Sequence, residues 1–178
     1  IIPDMQYLVD HKNDIVGVIF THGHEDHIGA VQYLVEKISA PIYATRLTRG
    51  LIEVKLARQG LLEKISLNEV QAGQQLTIGP FQVDFFHVCH SIPDCIGLGI
   101  DTPAGLVVHT GDYKFDQTPV DNWPTDFAAL AHFSERGVLA LLSDSTNAEH
   151  PGWTPSERMI DDALEQVFLN ARGRIIIA

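Results

Sequence analysis

The sequence predicts an α/β fold in which strands and helices form layers around one core. Three observations predict it. The chain has 178 residues, and at roughly 150 residues per domain this is the size of a single domain. Hydrophobic residues make up 45% of the chain, which is enough for a sizeable core. Short apolar runs rich in β-branched residues alternate with segments whose apolar residues recur at helical spacing.

The first third of the chain predicts two strands, each followed by a helix. The run from Ile15 to Phe20 is apolar and β-branched, which is typical of a buried strand. Thr45 is a candidate N-cap for the second helix, in which Leu47, Leu51 and Val54 share one face. The predicted elements are a strand at 15–20, a polar loop at 21–27, a helix at 28–38, a strand at 41–44 and a helix ending at Gly60.

The rest of the chain predicts a group of strands and then two helices separated by a strand. Gly and Pro turns separate the strands. Thr154 to Glu157 has the pattern of a capping box, which predicts the start of the last helix. The predicted strands are 75–78, 81–88, 96–101, 106–109 and a buried one at 138–142, and the predicted helices are 126–136 and 155–170.

The composition excludes several classes of protein. Twelve basic residues against 23 acidic ones give a net charge of −11, which argues against a broad electropositive surface for nucleic acids. It does not argue against a nucleic-acid substrate held at a metal centre. No apolar run approaches the ~18 residues of a membrane span, so we expect no membrane association. Two cysteines cannot form a disulfide framework, and we expect a cytoplasmic protein.

The strongest chemical signal is the segment Thr21–His27, which reads THGHEDH. His22 and His24 are two residues apart, so in an extended loop both rings project to the same side. Asp26 and His27 lie where the chain turns into the helix, and they can face the same cavity. Imidazole and carboxylate are the ligands that zinc prefers in open, catalytic sites. The segment therefore predicts part of a metal site, with a solvated polar loop as the alternative.

Two later loops offer further ligands. His90 follows the strand predicted at 81–88, and Asp112 follows the strand predicted at 106–109. Both residues come after the C-terminal ends of strands, where loops commonly build active sites. A carboxylate is the natural bridge between two metal ions, because each of its oxygens can serve one ion. We therefore expect a site for a pair of metal ions.

Three neighbouring residues have two interpretations each. His87 is either a metal ligand or a half-buried strand residue. His109 either donates a hydrogen bond to a metal ligand or simply ends its strand. Lys114 either contacts a phosphate or lies on the surface.

The segments around these residues resemble the metallo-β-lactamase superfamily. The pattern HxHxDH, a later single histidine and a later Gly-Asp are those of the superfamily. The segments FTHGHEDHIGA, HSIPD, VVHTGDYKFDQTPVD and LLSDSTNAEHPGWTPSE are similar to the ribonuclease J family of its β-CASP branch. The resemblance extends over essentially all 178 residues. It implies an αββα sandwich that is incomplete at both ends.

The resemblance implies a role for each candidate residue. His22, His24 and His90 would bind one zinc ion, Asp26 and His27 would bind a second, and Asp112 would bridge the two. Manganese is an alternative metal. Asp144 matches the acidic residue that opens the β-CASP signature, where it would orient a histidine that acts as general acid. Asp26 and Asp144 are therefore the residues for which we expect a catalytic role.

The resemblance also implies a domain organisation. Residues 1–178 would be the central part of a metallo-β-lactamase domain, with 143–178 leading toward an absent β-CASP domain. The chain has no initiator methionine, and Arg174–Ala178 has the pattern of a strand that is cut midway, so we expect a fragment of a longer polypeptide. The histidine that completes the second zinc site would lie beyond Ala178.

The implied function is hydrolysis of RNA, endonucleolytic or from the 5′ end, in RNA processing and decay. The full-length protein would be a homo-oligomer. Three alternatives stay open: another hydrolase of the superfamily, a DNA-directed β-CASP nuclease, and a catalytically inactive scaffold subunit. An inactive subunit should have lost ligands, whereas each ligand expected in this stretch is present.

Overall fold

The computed structural model describes residues 2–177 and contains two β-sheets with helices on their outer sides. Among these residues, no helix has both the length and the apolar character needed to cross a membrane. The strands are β1 (Val18–Phe20), β2 (Ile42–Ala44), β3 (Leu67–Glu69), β4 (Gln75–Ile78), β5 (Phe81–His87), β6 (Ile96–Thr102), β7 (Gly105–His109) and β8 (Val138–Leu142). The helices are α1 (Gln6–Asp10), α2 (Glu25–Ile28), α3 (Val31–Val35), α4 (Arg46–Arg58), α5 (Phe127–Arg136) and α6 (Met159–Asn170), with a 3-10 turn at Leu62–Lys64.

The two sheets differ in topology. The smaller sheet has the order β1-β2-β3, and its strands are all parallel. The larger sheet has the order β4-β5-β6-β7-β8 and is antiparallel, except that β8 runs parallel to β7. Parallel neighbours need crossover connections, and helices α2 to α4 supply one between β1 and β2 and another between β2 and β3.

Three apolar clusters divide the core into layers. The first joins helices α2 to α4 to the outer face of the smaller sheet, with Ile28, Ile42 and Ile52 at its centre. The second lies between the two sheets, and the third lies between the larger sheet and α5. The order of layers is therefore helices, sheet, sheet, helix. This confirms the predicted α/β sandwich.

Two glycines of β6 allow aromatic rings to approach the larger sheet closely. A Cβ atom at Gly97 would lie 2.3 Å from Cζ of Phe86, and one at Gly99 would lie 2.5 Å from Cζ of Phe133. The two rings themselves meet edge to face, with centroids 5.5 Å apart. Any side chain at either position would displace this pair, so the glycines are required for packing.

The helix predicted at 28–38 differs from the structure in its bounds. It begins earlier, at Glu25, and is divided into α2 and α3 around Gly29. A Cβ atom at Gly29 would lie 2.4 Å from the carbonyl oxygen of Glu25, so only glycine fits there. The apolar spacing identified the buried face of the helix and missed its polar first turn.

The predicted helix after Thr45 forms as α4, but its apolar residues are not all buried. Its buried face contains Ile52 and Leu56. Leu47 and Val54, which the sequence placed on one apolar face, are exposed. Spacing alone does not show which of two adjacent apolar faces packs against a sheet.

The prediction that strand 138–142 is buried is wrong for the described residues. The strand forms as β8 and pairs with β7, but all five of its residues are exposed. Leu139 and Leu141 are 60% and 62% exposed. The predicted strand at the end of the chain is also absent over residues 174–177, and Ala178 lies outside the described residues.

The predicted capping box does not start a helix, because its residues make tertiary contacts instead. Helix α6 begins only at Met159. The Ser156 hydroxyl donates to the Thr118 carbonyl at 2.8 Å, and the Glu157 N–H donates to Asp116 Oδ2 at 3.0 Å. These bonds attach the segment to the loop after β7.

Asp116 anchors this attachment. Its side chain is 1% exposed, and its second oxygen accepts the Thr118 N–H at 3.0 Å. Burial alone would raise the pKa of Asp116, but the hydrogen bonds from Glu157 and Thr118 outweigh burial and bring this pKa below its ordinary value. The group is therefore an ionised carboxylate in the folded chain at neutral pH.

We predict that Asp116→Asn lowers the free energy of unfolding by about 1–3 kcal/mol, because the amide offers one oxygen to two N–H donors. The contribution of Asp116 is present above its unfolded-state pKa and is lost as pH falls through its lower folded-state pKa. Denaturant unfolding should therefore show a difference from the parent that shrinks in acid.

The matched control is Asp121→Asn. Asp121 is exposed and accepts the Trp123 N–H at 2.9 Å, which an Asn oxygen can still accept. This substitution should change the free energy of unfolding by no more than about 0.5 kcal/mol. Equal losses for the two variants would contradict the anchoring role of Asp116.

Candidate metal centre

Three loops meet at one edge of the two sheets, and each follows a strand. The loop after β1 carries His22 and His24, the loop after β5 carries His90, and the loop after β7 carries Asp112. The Thr21 carbonyl accepts the Ile96 N–H at 3.0 Å, which joins the end of β1 to the start of β6. This bond connects the smaller sheet to the larger one beside the candidate ligands.

The first group of candidate ligands is His22, His24 and His90. One nitrogen from each ring lies within 4.8 Å of the other two. His90 Nε2 and His24 Nδ1 are 3.1 Å apart. The rings of His22 and His24 are nearly perpendicular, at 84°, so their nitrogens approach a shared point from different directions.

The second group is His22, His27 and Asp112. Asp112 Oδ2 lies 3.4 Å from His27 Nε2 and 3.8 Å from the Nε2 atoms of both His22 and His90. One carboxylate oxygen thus faces imidazoles from both groups. The bridging role of Asp112 stays a prediction.

His22 provides the test of whether these residues fit a metal ion. The residue is completely buried, and its Nδ1 lies 3.1 Å from the Thr21 hydroxyl. Its Nε2 has no hydrogen-bond partner among the described residues. A buried polar atom without a partner is costly, and a metal ligand whose other ring nitrogen is hydrogen-bonded is the usual arrangement. The donor set of imidazoles and one carboxylate fits a divalent metal site.

Burial favours the neutral form of two of these imidazoles, His22 and His90, by lowering their pKa. Burial first, and then the neighbouring His27, lower the pKa of His22 to about 4 against the opposing effect of Asp112. Burial and His24 lower the pKa of His90. A neutral imidazole has a free lone pair, whereas an imidazolium has none. The rings of His22 and His90 are therefore in the protonation state that binds a metal.

Asp26 and Asp144 lie at the margin of the cluster. Asp26 Oδ2 is 3.6 Å from His27 Nε2, but the side chain is 79% exposed and belongs to neither ligand group. Asp144 accepts hydrogen bonds from the hydroxyl and the N–H of Thr146, at 2.6 and 2.9 Å. The Thr146 hydroxyl is the main cause that lowers the pKa of Asp144, and the N–H groups of Thr146 and Tyr113 lower this pKa further. The roles of both residues remain predictions.

The structure shows the surroundings of His87 and Lys114, and the phosphate contact of Lys114 stays a prediction. His87 is buried, stacks on Trp123 with ring centroids 3.8 Å apart, and contacts the Pro124 carbonyl through Nδ1 at 3.1 Å. It belongs to neither ligand group. Lys114 Nζ lies 3.2 Å from Glu157 Oε1, so it forms an ion pair with the attached segment.

Two supporting residues hold the ligand loops by hydrogen bonds. His109 Nδ1 accepts the Gly111 N–H at 2.9 Å, next to Asp112, so this nitrogen supports the Asp112 loop, and the donor role stays a prediction for Nε2. Thr125 Oγ1 accepts the Cys89 N–H at 2.9 Å, next to His90. Sequence reasoning missed Thr125, since no local pattern connects positions 36 residues apart.

Comparison with known proteins identifies a matching family model and similar curated proteins. The family model described as the Metallo-beta-lactamase superfamily matches residues 3–148. Ribonuclease J of Helicobacter pylori (strain ATCC 700392 / 26695) is 46% identical over 179 aligned residues, covering 100% of this chain and 26% of the relative. Ribonuclease J2 of Bacillus subtilis (strain 168) is 43% identical, covering 100% of this chain and 32% of the relative. The chain thus spans about a quarter to a third of the length of these curated relatives.

A solved structure shares the fold. The crystal structure of a protein of unknown function from Enterococcus faecalis V583 superposes with a TM-score of 0.63 at 17% identity, covering 90% of this chain and 40% of that one. At this identity the likeness shows the fold alone. With the family model matching most of the chain, the layered sheets in place and the imidazoles gathered at their edge, the chain belongs to the metallo-β-lactamase superfamily.

Proposed function

We propose that the chain is the central part of a zinc-dependent ribonuclease that hydrolyses phosphodiester bonds of RNA. The observation that carries this proposal is a cluster of four imidazoles, three of which face Asp112, in a chain that is 46% identical, over its whole length, to a ribonuclease J. The superfamily ligands alone do not distinguish a nuclease from other hydrolases. The sequence around them supports the nuclease.

Each ligand group would hold one ion. His22, His24 and His90 would hold the first, and His27 with Asp26 would hold the second, while Asp112 would be shared between the two groups. Bound zinc would supply Lewis acidity, which lowers the pKa of water and neutralises charge on phosphate oxygens. The exposed position of Asp26 leaves the second ligand set more open to solvent than the first.

Asp144 would act on a proton donor rather than on the metal. Its carboxylate is held in place by Thr146, and its main chain is fixed because the Asp144 N–H donates to the Thr110 hydroxyl at 3.1 Å. An ionised carboxylate at this position would orient a histidine that protonates the leaving oxygen. We extend the proposal to RNA processing and decay in the cytoplasm by a homo-oligomeric enzyme.

We predict that the full-length protein cleaves RNA in the presence of zinc and that a chelator abolishes cleavage reversibly. The reason is that no side chain of the cluster can replace the Lewis acid. Cleavage is measured on 5′-labelled RNA, with DNA of the same sequence and nitrocefin as parallel substrates. Turnover of nitrocefin or a thioester without cleavage of RNA would contradict the proposal. Preferential cleavage of DNA would contradict the choice of RNA as the substrate.

We predict that Asp112→Asn lowers RNA turnover by several orders of magnitude and reduces bound zinc below two ions per chain. An amide oxygen carries no negative charge, so it would be a weak ligand between two cations. Turnover and metal content are measured on the same preparation, since loss of both together identifies a bridging ligand.

The control is Asp101→Asn. Asp101 lies in β6, and its carboxylate pairs with Arg136. This variant should retain both zinc and turnover. Retention of two metal ions by Asp112→Asn, with activity within about tenfold of the parent, would instead indicate that Asp112 only caps the turn after β7.

A further inference from the structure

We propose that Asp94 is a positioning residue for the metal centre, because it fastens the loop that carries His90 to the first turn of helix α4. The proposal rests on the proposed function only in taking His90 as a metal ligand. Asp94 itself contacts no candidate ligand, so its effect would act through the backbone of the loop.

Asp94 caps a helix that is distant in sequence. Its Oδ2 accepts the N–H of Leu47, the second residue of α4, at 2.9 Å. Its carbonyl oxygen accepts the Thr45 hydroxyl at 2.7 Å. The side chain of Thr45, the N-cap residue, therefore does not cap its own helix. A carboxylate at a helix N-terminus is favourable for the free N–H groups and for the helix dipole, so this contact stabilises both partners.

The backbone of Asp94 has the left-handed conformation, with φ of +66°. Aspartate is one of the few side chains that tolerate this region. The turn directs the next residue, Cys95, into the core, where it is 1% exposed and its carbonyl accepts the Val88 N–H at 3.3 Å. The loop from 89 to 94 is thus closed at its base by Cys95, and its last residue, Asp94, attaches it to α4.

The same helix packs against the other ligand loop. Gly23 lies between His22 and His24, and a Cβ atom there would lie 2.6 Å from Leu51 Cδ1 of α4 and 3.5 Å from Ile92 Cδ1 of the His90 loop. Helix α4 is therefore the common support of both loops. Releasing Asp94 would free the His90 loop from this support and loosen the 3.1 Å approach of His90 to His24.

Three substitutions separate the hydrogen bond from the backbone conformation. Asp94→Gly permits the left-handed turn but removes the cap, Asp94→Ala removes the cap and strains the turn, and Asp94→Asn retains an oxygen acceptor and tolerates the turn. The matched control is Asp126→Ala, which removes the carboxylate that caps α5 by accepting the Ala129 N–H at 2.9 Å. The backbone bond from Asp126 to the His87 carbonyl is retained in that control.

Zinc affinity of the full chain is measured by competition with a chromophoric chelator, without RNA. We expect Asp94→Gly and Asp94→Ala to bind zinc about 10–100-fold more weakly, the range for lost supporting contacts of metal ligands. Asp94→Asn should stay within about threefold, because Asn is an equivalent cap. Asp126→Ala should bind zinc as the parent does. Parent-like affinity of Asp94→Gly, or equal weakening by Asp126→Ala, would overturn the proposal.

Hydrogen exchange of the metal-free protein gives a second measurement. The Leu47 and Val88 amides should exchange faster in Asp94→Gly than in the parent, and those in Asp126→Ala should not. If the parent binds no zinc, the proposed function fails, while this exchange still decides whether Asp94 holds the loop. Unchanged exchange at both amides would overturn the positioning role.

Discussion

The burial of His22 is the constraint on which the site depends. A completely buried imidazole must remain neutral, and its Nε2 faces other imidazoles and Asp112 with no hydrogen-bond donor or acceptor within reach among the described residues. Such an atom is costly to keep without a partner. The fold nevertheless holds it there, since Thr21 joins β1 to β6 through its carbonyl and contacts the ring of His22 through its hydroxyl. A divalent ion at Nε2 removes this cost, and so the constraint points to metal binding.

The layered architecture explains why the ligands meet. The smaller sheet supplies His22 and His24 from the end of β1, and the larger sheet supplies His90 and Asp112 from the ends of β5 and β7. Neither sheet alone carries a complete ligand group. The apolar cluster between the sheets therefore sets the distance between the donors as well as the stability of the domain.

The sequence predicted the elements that local patterns determine. Strands from Gln75 to His109 agree with the structure to within a residue or two, because alternation and Gly/Pro turns define them locally. The predictions failed where contacts with residues distant in sequence determine the structure. The residues of the predicted capping box bind Asp116 and Thr118 instead of starting a helix, and β8 forms its hydrogen bonds without any layer over it in the described part of the chain.

In the candidate site, too, the sequence predicted what local patterns show and missed what distant contacts determine. The ligands stand out because several imidazoles and carboxylates within seven positions from Thr21 to His27 are rare in a purely structural loop. Their supports do not stand out. Asp94 and Thr125 act across 47 and 36 residues, and a single aspartate or threonine after a loop carries no local signal for such contacts.

The most direct test of the central claim is an NMR measurement of the histidine ring nitrogens during zinc titration of the full chain. The chain has nine histidines, so each ring serves as a control for the others. We expect zinc to shift Nε2 of His22 and His90 and Nδ1 of His24, and to leave His11 and His132 unchanged. Zinc binding that leaves the His22 ring nitrogens unchanged would contradict the account.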